Sequence, residues 1–70
     1  MTKDKKIQKI QLLLYQVEFE AQTWKEKLEL CKMISELDNN FILMDRDDHI
    51  VFMYKYPKDI SGDVVGVFKK

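Results

Sequence analysis

Residues 7–31, IQKIQLLLYQVEFEAQTWKEKLELC, decide the fold of this chain. Their apolar side chains fall at Ile7, Ile10, Leu14, Val17, Ala21, Trp24, Leu28 and Cys31. The spacing alternates three and four without a slip, which is the a/d pattern of a heptad helix. A second stripe lies on roughly the opposite side of the same helix: Leu12, Tyr15 and Phe19, then Leu30, Met33, Ile34 and Leu37. One stripe suffices for a helix to cover its own core. Two opposed stripes imply two apolar surfaces, one from the chain's own sheet and one from elsewhere.

Outward from this stretch, glycine and proline are absent until Pro57, and these residues are the usual punctuation of structure. Lys3 to Asp38 is built mainly of Leu, Lys, Glu, Gln and Ile, all good or tolerable helix formers. The pattern predicts a continuous helix over residues 3–38, ended by Asp38-Asn39-Asn40, whose side chains favour caps and turns. Such a helix would be about 54 Å long, whereas a compact globule of this size is only about 28 Å across. Roughly half the helix would overhang its own sheet and pack on a second chain. The alternative is a helical hairpin, and Thr23 followed by Glu26 has the spacing of a capping box that would start its second helix. Against a break there, Glu20-Ala21-Gln22 offers no Gly, Pro or Asn for the turn.

The remainder reads as strands. Phe41-Ile42-Leu43-Met44 is a short apolar run and Asp45-Arg46-Asp47-Asp48 a polar turn. His49 to Tyr56 alternates, with Ile50, Phe52, Tyr54 and Tyr56 on one face and Val51, Met53 and Lys55 on the other. Pro57 stops it, Lys58 to Asp63 is a loop, and Val64 to Phe68 forms a third strand. The expected fold class is α+β, a long N-terminal heptad helix followed by a three-stranded antiparallel β-meander (α-β-β-β). It is one domain over residues 1–70, with the helix at 3–38, the sheet at 41–68 and a basic tail at 69–70. Phe41 to Met44 is apolar at every position, and strands apolar on both faces are covered on both faces. One helix covers one face, so the other calls for a partner.

Composition narrows the function. A 70-residue chain buries a modest core and commonly needs a disulfide, a metal or a second copy for stability. Cys31 is the single cysteine and His49 the single histidine, which excludes an intrachain disulfide and a structural zinc site. Self-association remains, and the expected dimer interface is the seam Ile7, Ile10, Leu14, Val17, Ala21, Trp24, Leu28 and Cys31. Cys31 is expected there as a small hydrophobe and Trp24 as a packing anchor. No secretory signal or membrane-spanning run is present, and the lone cysteine favours the cytoplasm.

Lys plus Arg equals Asp plus Glu, so the chain as a whole lacks the surplus that non-specific nucleic-acid binding needs. The charge is uneven, however. Lys3, Lys5, Lys6 and Lys9 form a basic arm, and Asp45, Asp47 and Asp48 an acidic turn suited to a basic partner. The turn is the only metal-like cluster, but it has no central glycine and Tyr56 stands where a calcium loop would close with Glu. Tyr54, Tyr56 and Phe68 beside Lys55, Lys58, Lys69 and Lys70 are loosely similar to base-stacking platforms, without their spacing. No nucleophile motif, phosphate loop or Cys/His pairing accompanies His49. No catalysis, cofactor or metal is expected. The sequence points to a homodimeric regulator, inhibitor or adaptor that binds another protein, in the manner of small phage or mobile-element accessory proteins. A nucleic-acid binder using the basic arm and a structural subunit of a larger assembly are the alternatives.

Overall fold

The computed structural model describes residues 2–58 and 61–70. Along the chain run α1 (Lys3–Tyr15), a π-helical turn (Gln16–Glu20), α2 (Trp24–Leu37), β1 (Phe41–Asp45), β2 (His49–Lys55) and β3 (Gly62–Lys69). The arrangement is α+β, as the pattern predicts, but the expected continuous helix over residues 3–38 is divided. Thr2 caps α1, its hydroxyl accepting from the Lys5 amide at 3.4 Å, with Asp4 in the first turn where the helix dipole favours an anion.

The division falls at Ala21–Thr23. The Ala21 amide donates to the Gln16 carbonyl at 2.8 Å, closing the wide turn. Ala21 then turns extended, at φ −70° and ψ 130°. Thr23 is also extended, and its hydroxyl accepts from the Glu26 amide at 3.2 Å. Glu26 reaches back to accept from the Gln22 amide at 3.2 Å. This is a capping box in which the glutamate serves the residue before the cap. The reason it prevails is burial. Folding back places Ile10, Leu13 and Val17 in one cluster with Cys31, Ile34 and Phe52. Each such aliphatic side chain contributes about 1.5–3 kcal/mol when fully buried, against about 0.5–1.5 kcal/mol for each helical hydrogen bond given up.

α2 ends at Leu37, where Asp38 Oδ1 accepts from the Asn40 amide at 3.0 Å and turns the chain into β1. The strands form an antiparallel meander in the order β1-β2-β3. β3 begins at Gly62, earlier than the expected Val64, and runs through Lys69. Of the expected loop from Lys58 to Asp63, Asp59 and Ile60 lie outside the described residues. The β2–β3 register shifts once: Phe52 faces Gly66 and Met53 faces Val64, so Val65 is a bulge.

The core sits between the hairpin and one face of the sheet, with Phe52, Ile34, Ile50 and Cys31 fully buried. Phe41 stacks on Phe52 with ring centroids 5.5 Å apart and meets Tyr54 edge-on at 4.9 Å. Gly66 leaves the space this layer needs, since a Cβ there would lie 2.8 Å from Phe68 Cζ. Among the described residues, Ser35 Oγ is buried without a hydrogen-bond partner.

Two stability effects follow. Phe52→Ala, at the centre of the core, costs about 3–5 kcal/mol in urea unfolding. Ser35→Ala raises the urea midpoint, because it removes a stranded hydroxyl worth about 1–3 kcal/mol and introduces a better helix former. A lower midpoint for Ser35→Ala would show that the hydroxyl is hydrogen-bonded in solution.

Candidate interaction surface

Alternation along the strands separates two faces of different chemistry. Phe41, Leu43, Ile50, Phe52 and Phe68 turn toward the helices. The residues between them turn away. Register aligns those in two rows across the sheet, Ile42–Met53–Val64 and Met44–Val51–Val67. All six are apolar. Val64 and Val67 are each 59% exposed and Ile42 37%, with Met44, Val51 and Met53 half-buried beside them. Scattered exposed apolar residues are ordinary, but a contiguous patch marks a surface that another molecule covers.

Polar groups stand at the ends of this face. Lys55 pairs with Gly62 beyond one row, and His49 pairs with Lys69 beyond the other. Arg46 reaches back along the turn, its Nη2 lying 3.7 Å from Met44 Sδ. A smaller apolar group occupies the outer side of the helical layer. Leu12, Tyr15 and Phe19 are all more than half exposed, with the Tyr15 and Phe19 rings 4.9 Å apart.

The sequence-derived sites are distributed differently from expectation. Of the seam, Ile10, Val17 and Cys31 are buried inside this chain and Leu14 packs against them. Ala21, Trp24 and Leu28 are half-buried, and Ile7 is 45% exposed. The second stripe also splits: Leu30, Ile34 and Leu37 of α2 join the core, while Met33 of α2 and Leu12, Tyr15 and Phe19 of α1 and the π turn stay outside. α1 thus turns the first stripe inward, whereas α2 turns in most of the second together with Cys31 of the first. Trp24 lies under the Lys70 ammonium, 5.2 Å from the ring centre.

The acidic turn is largely engaged by its own chain. Asp45 pairs with Lys70 Nζ at 2.5 Å. Asp48 Oδ1 lies 2.6 Å from His49 Nδ1, which lowers the Asp48 carboxyl below its usual range. Asp47 is left exposed. Among the described residues no three His, Cys, Asp or Glu side chains are grouped to hold a metal. Lys3, Lys5 and Lys9 of the basic arm are exposed on α1, and Lys6 is half-buried. The aromatic group does not form an open platform. Phe68 packs on the core with Lys27 over its ring, and Tyr54 is wedged between Phe41 and Tyr56. Tyr56 donates to Asp63 across the hairpin, a bond that raises its phenol pKa.

Two shallow clefts lie among the described residues. One, of about 380 Å³, is lined by Leu14, Val17, Glu18, Lys27, Val65 and Phe68. The other, of about 310 Å³, lies between Lys9, Leu13, Met33, Glu36 and Leu37. Neither gathers a nucleophile with a base. Among the described residues no helix is long and apolar enough to cross a membrane. The outer sheet face was legible in part, from the unbroken apolar run of β1 and the Val51/Met53 alternation. Val64 and Val67 complete it only through the β2–β3 register. No protein-family model matches this chain, and neither a curated protein nor a solved structure does.

Burial pushes the Cys31 thiol up to about 11 from its ordinary 9.0. The folded state therefore holds the neutral thiol while the unfolded chain ionises. Its contribution to stability is complete below pH 9.0 and is lost as pH rises towards about 11. Unfolding midpoints measured on either side of pH 9.0 should fall more steeply for the wild type than for Cys31→Ala. Equal slopes would show that the thiol is not buried in the folded protein.

Proposed function

We propose that this chain is a small non-catalytic interaction module, a regulator, inhibitor or adaptor that binds another protein through its outer sheet face. The carrying observation is the pair of apolar rows, Ile42–Met53–Val64 and Met44–Val51–Val67. A solvated face of an antiparallel sheet ordinarily carries polar residues, and here all six residues of two neighbouring outward-facing rows are apolar. The face is aliphatic and holds no aromatic ring, so it suits the packing of apolar side chains rather than the stacking of bases. Lys55 and Lys69 at its ends, with Arg46 over Met44, favour a partner whose apolar patch carries carboxylates at its margin.

The test is a two-hybrid screen against the proteins of the source cell, followed by purified binding. Val64→Asp combined with Val67→Asp should weaken each true partner by tenfold or more, as expected for central contacts, while leaving the circular dichroism spectrum unchanged. Leu12→Asp, on the far side of the molecule, should leave binding intact. Partners that bind the double variant as tightly as the wild type would remove the outer face from consideration.

A further inference from the structure

The connection between the two helices has the features of an exchange hinge. Only three residues, Ala21, Gln22 and Thr23, separate the π turn from α2. None of them is Gly, Pro or Asn, and all three are compatible with a helix. At Ala21 φ is already −70°, so a rotation of ψ alone, from 130°, makes the residue helical. The turn before it is π-helical, a rare departure from the α-helical hydrogen-bond ladder that is frequent at functional sites. The heptad spacing from Ile7 to Cys31 also passes through this point without a slip. Local sequence thus favours a straight helix, and only the Thr23–Glu26 box and the shared core hold the bend.

We propose that the partner of this hinge is a second copy of the chain. Straightening residues 21–23 joins α1, the π turn and α2 into one helix of about 52 Å. The longest dimension of the folded chain is 34 Å, so the straightened α1 segment projects beyond its own sheet. Its core residues Ile10, Leu13 and Val17 are then exposed, and so is the place they left beside Cys31, Ile34 and Phe52. Two such chains satisfy each other by exchange. Each α1 segment occupies the other chain's core and makes the same contacts it makes here. Tyr15 and Phe19, within two turns of the hinge and more than half exposed in the single chain, lie where the two straight helices meet. Exchange of an identical element is a low-cost route to dimers, and short hinge loops invite it. This inference is independent of the outer sheet face, which lies on the other side of the sheet.

The experiment is light scattering on a sizing column, with the protein refolded at high and at low concentration. Refolding at high concentration yields a dimer that returns to monomer slowly, because dissociation requires opening the core. Thr23→Ala removes one cap per chain and should raise the dimerisation constant about 30-fold. Insertion of Gly-Asn-Gly after Gln22 should abolish the dimer while the monomer keeps its helical circular dichroism. In a dimer made from mixed isotope-labelled and unlabelled chains, filtered NOEs should run between chains from Val17 to Ile34 and Phe52. A monomer at every concentration, for both wild type and Thr23→Ala, would overturn the proposal. So would a dimer whose Val17 contacts stay within one chain, or one dissociated by Val64→Asp with Val67→Asp.

Discussion

The fold-back at Ala21–Thr23 is the constraint on which the rest depends. A 70-residue chain has one sheet of three strands, and that sheet needs a cover wide enough to bury Phe52 and Ile50. A single straight helix would lay one narrow stripe across it and carry the rest of its length into solvent. Bending doubles the width of the cover, and Val17 and Ile34 come to share a core although they lie in different helices. The bend itself is held weakly, by two hydrogen bonds of 3.2 Å at an exposed cap. Its stability comes from what the bend allows to be buried, not from the turn.

That origin explains what could and could not be read from the residues. The strands were legible because their signals are local: the alternation of His49–Tyr56, the polar turn at Asp45–Asp48 and the stop at Pro57. The helix stop at Asp38-Asn39-Asn40 was legible for the same reason. The break was not, because local preference and tertiary packing disagree there. Glu20-Ala21-Gln22 reads as helix on every local measure, and the Thr23–Glu26 box was the only sign against it. The two opposed stripes contained the answer in another form. They are the inward faces of two helices that share the first stripe only through Cys31 of α2, together with the exposed Leu12–Tyr15–Phe19 group and Met33, and in a straight helix they register only as a surplus of apolar surface. The same difficulty hid half of the candidate site, since the place of Val64 and Val67 beside Met53 and Val51 depends on a bulge at Val65.

The sheet divides its apolar residues by shape as well as by side. Aromatic rings gather on the inner face, where Phe41, Phe52, Tyr54 and Phe68 form one layer with the helices. The two central rows of the outer face hold Ile, Val and Met only. Rings bury large areas and suit a small core that must gain most of its stability from few side chains. Aliphatic and thioether side chains adapt to varied surfaces, methionine most of all. A face made of them is better suited to meeting a second protein than to being the second half of the chain's own core.

The position of the hinge gives the outer face a further property. Exchange of α1 rearranges only the helical side of the sheet, so both copies of the outer face survive it unchanged. A dimer formed in this way presents two identical apolar faces on one particle. If those faces bind partner proteins, a partner that is itself dimeric or repeated is engaged twice, and the second contact forms at an effective concentration far above that in solution. A weak contact through six aliphatic side chains would then suffice for tight binding. Dimer formation at Ala21–Thr23 would control affinity at a surface on the opposite side of the molecule without altering any residue in it.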